Sequence, residues 1–148
     1  MKISTKGRYG LRILLDLAIH DSGAPRLIRG IAQSQQISEK YISRLIIALR
    51  KGGMVRSIRG AHGGFRLKKS PPEISLLEVV EAMEGPLAIV DCVRSPAKCC
   101  RIETCPTRSI WSDLNTEIRD RMRAVTLQDI IANYQKLNAE QGILDYCI

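Results

Sequence analysis

The chain has 148 residues, 45% of them hydrophobic and 26% charged, which suits one globular domain carrying an extra element and excludes intrinsic disorder. Its longest apolar runs span only a few residues, as in 45–49, which excludes a membrane-spanning helix. The formal net charge of +8 is unevenly placed: residues 1–70 hold 15 Lys/Arg against 3 Asp/Glu, and residues 71–148 hold 8 against 12.

A basic amino-terminal module thus joins an acidic one. Basic charge concentrates polyanions and gains from counterion release, so nucleic acid is the leading partner and an anionic membrane surface the second. The plainer alternative is a solvated basic surface. Aromatics make up only 4% of the chain, which disfavours recognition of single strands by stacking. Arg12 and Asp16 interrupt the first apolar stretch, so the start reads as a mature cytoplasmic amino terminus and not as a signal peptide.

In chain order, Thr5 is expected to cap a first helix that buries Leu11, Leu14, Leu15 and Ala18. Residues 22–25 break it. A short second helix covers 27–34, with Ile28, Ile31 and Ala32 inward, and residues 35–37 make a tight turn. Ser38 caps a third helix to about Lys51, with Ile42, Leu45, Ile46 and Leu49 inward and Gly52-Gly53 as its stop. This is a helix-turn-helix pattern, in which the second helix enters the major groove by its amino-terminal residues. Lys40, Ser43 and Arg44 share its outward face, and these side chains suit base edges or phosphates. Residues 54–58 and 65–68 read as strands around a glycine-rich turn at 59–64, a basic hairpin that forms a wing. Arg59 at its tip is placed to enter a minor groove. An ordinary helical hairpin followed by a surface β-hairpin is the alternative, but the coincidence of both with the basic charge favours DNA.

Ser75 caps a helix of Leu76, Leu77, Val79, Val80 and Met83 that ends at Gly85-Pro86. Residues 91–105 look irregular, and Pro106 opens a long helix to about Val125. There Trp111, Leu114, Ile118, Met122 and Val125 form a heptad-like seam that calls for another helix, either from the same chain or, preferably, from a second copy on a two-fold axis. Thr126 caps a last helix with Leu127, Ile130, Ile131 and Tyr134. The fold class is therefore mainly α with a small β-hairpin. The expected units are a winged helix-turn-helix at 1–70, a connecting helix and cysteine-rich loop at 71–105, a dimerisation helix at 106–125, and a carboxy-terminal helix and tail at 126–148.

Four of five cysteines, Cys92, Cys99, Cys100 and Cys105, fall within fourteen residues, and Cys147 lies in the tail. In a cytoplasmic chain such a set reads as metal, iron–sulfur or thiol redox chemistry in preference to disulfides. The absence of any C-x-x-C pair lowers structural zinc. Arg94, Lys98 and Arg101 favour thiolate over thiol. A thiol enzyme is disfavoured: the two histidines, His20 and His62, are not beside a cysteine in sequence, and the chain is not expected to be an enzyme.

Residues 1–10 (MKISTKGRYG), 38–42 (SEKYI) and 49–65 (LRKGGMVRSIRGAHGGF) resemble the Rrf2 superfamily of bacterial winged-helix regulators over about residues 1–136. The resemblance implies a homodimer that binds a palindromic double-stranded operator through the third helix and the wing. By that resemblance the DNA-contacting set is Lys40, Tyr41, Ser43, Arg44, Arg59 and His62. In the cluster-binding, IscR- and NsrR-like branch, three cysteines hold an iron–sulfur cluster; Cys92, Cys99 and Cys105 match best, with Cys100 the alternative to Cys99. The cluster is expected to be 2Fe–2S ahead of 4Fe–4S. Six residues separate Cys92 from Cys99 where the branch has five. Arg108 stands where a ligating histidine is usual and Arg8 near where an acidic ligand is usual, so the fourth ligand is unassigned. The opening and the isoleucine-ended tail also resemble the CymR-like branch, which lacks the cysteine cluster and is controlled by cysteine synthase. That branch implies a docking role for Tyr146 and Ile148.

Overall fold

A computed structural model describes residues 3–140. The first helix, α1 (Thr5–Ile19), is capped by Ser4 and not by Thr5: the Ser4 hydroxyl accepts from the Lys6 amide at 3.1 Å, and Thr5 is already helical. Glu84, far along the chain, completes the cap by accepting from the Ser4 amide, the Ser4 hydroxyl (2.6 Å) and the Gly7 amide (3.0 Å). These bonds satisfy donors that a helix start otherwise leaves orphaned, and they hold the Glu84 carboxyl below its usual range, with the Ser4 hydroxyl the largest cause. The buried side of α1 centres on Ile13, Leu14 and Leu17; the expected Leu11, Leu15 and Ala18 are half-buried at its margins. The face is turned because other elements pack around α1 on several sides. At Gly10 a Cβ would lie 2.9 Å from the Met83 side chain, so glycine sets the closeness of that packing.

The helix-turn-helix consists of α2 (Ile28–Gln35) and α3 (Glu39–Lys51), joined through Gln36 in the left-handed conformation. Ser38 caps α3 by accepting from the Tyr41 amide, and the buried residues are Ile42, Leu45, Ile46 and Leu49, as the spacing predicts. The wing pairs β1 (Val55–Ile58) antiparallel with β2 (Gly64–Leu67), Val55 opposite Leu67. Arg26 adds a bridge on the outer side of β2, exchanging two 2.9 Å main-chain hydrogen bonds with Phe65. A Cβ at Gly64 would strike the Arg26 carbonyl oxygen, which fixes glycine where the two segments meet.

Beyond the wing, α4 (Leu76–Glu84) starts from a reciprocal Ser75–Glu78 capping box. Ile74, Val79, Met83 and Leu127 join Ile13, Leu14, Ile42 and Leu49 in one core, so packing runs continuously across residue 70. A smaller core of Leu77, Val80, Leu87 and Met122 glues α4 to α6 (Arg108–Ala124). The 91–105 segment is more regular than expected: it holds a one-turn helix, α5 (Asp91–Arg94), and a 3-10 turn at Pro96–Lys98. The last helix, α7 (Leu127–Glu140), is capped by Thr126, which exchanges hydrogen bonds with Asp129. No helix among the described residues is long and apolar enough to cross a membrane.

The seam on α6 divides in two. Met122 is buried and Ile118 half-buried against α4, while Trp111 and Leu114 are each 41% exposed and Ile110 lies beside them in solvent. Its carboxy-terminal half is thus intrachain core. Its amino-terminal half carries apolar side chains with no cover among the described residues.

Candidate nucleic-acid interface

The first helix is tied to the second by a buried carboxylate. Asp16 on α1 is 0% exposed, and it accepts hydrogen bonds from Arg26 Nε (3.1 Å), Gln35 Nε2 (3.1 Å) and the Ser34 hydroxyl. One side chain therefore joins α1, the end of α2 and the Arg26 bridge beside the wing. An ionised group can be buried when opposite charge and donors replace its hydration. Arg12 is likewise engaged: its guanidinium donates to the Gln35 carbonyl at 2.6 Å and side chain at 3.0 Å and lies over the Tyr9 ring.

From this frame Lys40 and Arg44 project into solvent on the exposed face of α3. Ser43 is half-buried and donates its hydroxyl proton to the Glu39 carbonyl at 2.8 Å, so the oxygen's remaining capacity is as an acceptor. Tyr41 is half-buried, its ring edge-on to Tyr9 at 6.0 Å, which ties the start of α3 to α1. Arg59 and His62 are exposed in the hairpin turn, where Gly60 takes a positive φ of 112°. Lys40, Arg44, Arg50, Lys51, Arg56, Arg59 and Lys68 make no ion pair among the described residues; the amino-terminal cations that do are Arg26, Arg66 and Lys69. The helix-turn-helix and wing therefore present unneutralised positive charge. Asp16 escaped the sequence reading because its partners lie 10, 18 and 19 residues away.

The cysteines are partly gathered. Cys92 on α5 and Cys99 and Cys100 after the 3-10 turn line one groove of about 490 Å³ with Asp91, Arg94 and Lys98. Cys105 does not join them. Turns at 99–104 carry it to the start of α6, where it lines a different hollow with Glu103, Arg108 and Asp113. Of the expected Cys92, Cys99 and Cys105, the first two share a groove with Cys100, and Cys105 lines the neighbouring hollow. Among the described residues no three Cys, His, Asp or Glu side chains converge closely enough to hold one metal ion. The donor chemistry nonetheless suits a thiophilic group, since thiols and cations share the groove. The Cys105 thiol is held below its ordinary value, first by the Thr107 hydroxyl (3.4 Å) and the Thr107 amide, then by the Arg108 amide and the charge of Arg101. Cys147, Tyr146 and Ile148 lie outside the described residues.

The base of the loop is fixed to α6. Asn115, buried, accepts from the Ile89 amide at 3.1 Å, and Arg119 donates to the Leu87 carbonyl at 3.2 Å while pairing with Glu81 of α4. Helix α4 thus carries both Glu81, which pairs with Arg119 of α6, and Glu84, which caps α1, so it links the segment before the cysteine loop to the first helix.

The profile of the Rrf2 family, described as an iron-dependent transcriptional regulator, matches residues 3–133. The chain is similar to protein rrf2 of Nitratidesulfovibrio vulgaris, 41% identical over 131 residues that span 88% of this chain and 87% of that protein. It is similar to CymR, the global cysteine regulator of Bacillus subtilis, whose solved structure aligns with a TM-score of 0.73 at 35% identity, covering 90% of this chain and 98% of that one. It is equally similar in fold to T. potens IscR, with a TM-score of 0.73 at 32% identity, covering 93% and 90%.

Proposed function

The chain belongs to the Rrf2 family of transcriptional regulators, and from that premise we propose that it acts as a homodimer on a palindromic duplex operator and carries its sensor in the 91–105 loop. The observation that carries the reading is the cationic face of α3 and the wing, whose Lys40, Arg44, Arg56, Arg59 and Lys68 make no ion pair among the described residues. Two copies related by a two-fold axis would set their α3 helices in successive major grooves, about 34 Å apart. The uncovered Ile110, Trp111 and Leu114 face supports the second copy as its cover. Full-length protein titrated into duplex DNA at several salt concentrations tests this: log affinity should fall linearly with log salt, and binding that is absent or indifferent to salt overturns it.

In this reading Arg59 of the wing enters a minor groove, where narrow A·T-rich segments concentrate negative potential. Arg59→Ala should therefore weaken operators with A·T-rich flanks more than those with G·C-rich flanks. Competition binding on the two duplexes measures the difference, and an equal loss on both places Arg59 on phosphates alone.

The sensor is proposed to be an iron–sulfur cluster held by the loop cysteines, 2Fe–2S ahead of 4Fe–4S, with the Cys92, Cys99 and Cys100 groove and its cations as support. When bound, such a cluster supplies iron–thiolate chemistry that responds to redox conditions. The protein's own part is mechanical. Ordering of residues 91–105 would act on α6 through Asn115 and Arg119, and on α1 through the Glu81 and Glu84 contacts, shifting the spacing of the two α3 helices. Protein purified anaerobically should be coloured and contain iron and sulfide; colourless protein without either overturns the cluster.

The incomplete convergence of the thiols and the similarity to CymR favour one second reading, a cluster-free regulator controlled by cysteine synthase or by thiol oxidation. Deleting Tyr146–Ile148 should then abolish binding to cysteine synthase; unchanged binding removes the tail as its docking segment, and no binding by the full-length protein removes that partner.

A further inference from the structure

Ile47 is an apolar side chain of α3 that faces away from the core. It is 53% exposed, whereas Ile42, Leu45, Ile46 and Leu49 of the same helix are buried. At about 100° per residue it falls within roughly 60° of Lys40, Ser43 and Arg44, at the middle of the stripe they form. It stands about 4.5 Å further along the axis than Arg44, close to the ~3.4 Å rise of one base pair. A β-branched residue gains nothing from an exposed helical position, so packing of this protomer does not account for it.

Its surroundings select the partner. Ile47 shares a groove with Arg50, Lys51, Arg56 and Lys68. An apolar protein surface laid over Ile47 would bury those cations at high cost. Duplex DNA neutralises them with phosphates, and its major groove offers the thymine 5-methyl group as an apolar feature.

We infer that Ile47 is a specificity-determining residue that packs against the methyl group of a thymine in each half-site, about one base-pair step beyond the pair reached from Arg44. This rests on the reading of α3 as the DNA-contacting helix. It adds a preference that Lys40, Ser43 and Arg44 cannot supply, because a methyl group offers no hydrogen bond.

The test uses duplexes selected from a randomised pool by the full-length protein. Each thymine of the selected duplex is replaced in turn by uracil, which removes the methyl group and leaves base pairing intact. For the wild-type protein, one replacement per half-site should weaken binding about fourfold, the effect of one buried methyl. In Ile47→Ala that same replacement should be near neutral, while Ile47→Val should keep the preference at reduced size. Because the side chain is exposed, Ile47→Ala should melt with the wild type; if it does not, the Ile47→Val comparison decides. If uracil is tolerated everywhere, or costs wild type and Ile47→Ala alike, while Lys40→Ala and Arg44→Ala still weaken binding, the inference fails and the DNA-binding reading stands. If the pool enriches no sequence and binding shows no salt dependence, both fail.

Discussion

Asp16→Ala should lower the unfolding free energy by about 3 kcal/mol, the range for removing one partner of a buried ion pair. The carboxylate is wholly shielded from solvent and takes bonds from Arg26, Gln35 and Ser34, so its loss removes the counter-charge of the part-buried Arg26 and the acceptor that joins α1 to the end of α2. Those donors belong to the second helix and to the Arg26 bridge beside the wing, and both should loosen against α1. Asp16→Asn keeps the shape and some of the hydrogen bonding but not the charge, and should fall between alanine and wild type. Urea unfolding followed by circular dichroism measures the three proteins. DNA affinity at low temperature, where the variant is still folded, separates loosening from unfolding. An alanine variant as stable as wild type would show that Arg26 and its neighbours find solvent without penalty, and that the hub does not hold the helix-turn-helix together.

The third helix was legible because every local signal agrees: a Ser38 cap, Glu39 in the first turn, apolar residues at helical spacing, and a Gly52-Gly53 stop. The wing was legible for the same reason, since alternating strands flank a run of glycines. What the sequence concealed is tertiary. The Arg26–Phe65 bridge is made by main-chain atoms, and its one mark on residue choice, Gly64, is indistinguishable from an ordinary turn glycine, so residues 22–25 read only as a breaker. The Ser4 cap depends on Glu84, eighty residues away, and nothing local prefers it to Thr5. Periodicity identified an apolar face on α6 but could not say that Met122 would pack on α4 while Trp111 would not. The family resemblance implied Cys92, Cys99 and Cys105 as one set, and spacing along the chain could not say that the turn at Pro96–Lys98 places Cys99 and Cys100 in the groove of Cys92 while Cys105 lines the next hollow.

Combining Lys40→Ala with Arg44→Ala should cost the cognate duplex far more than a random one. Each side chain is exposed, makes no ion pair among the described residues, and lies in the first half of α3, which is the part a helix-turn-helix inserts deepest into the major groove. A specific contact from lysine or arginine to a guanine edge is worth about 1–3 kcal/mol, and the two together should remove most of the discrimination between cognate and random sequence. A phosphate contact behaves differently: its loss weakens all sequences alike and lowers the salt slope by about one for each contact removed. Measuring the double variant on both duplexes across a salt series therefore yields two independent numbers, a specificity ratio and a slope. A collapsed ratio with a little-changed slope places both residues on bases. An unchanged ratio with a slope reduced by about two places both on the backbone, and recognition would then have to come from Ser43, Ile47 and the wing. Ser43 already donates its proton to Glu39 and offers DNA only an acceptor, which pairs with the amino groups of cytosine or adenine and not with guanine. Ser43→Ala should consequently relax the preference at one such base while leaving the guanine positions read from Lys40 and Arg44 intact.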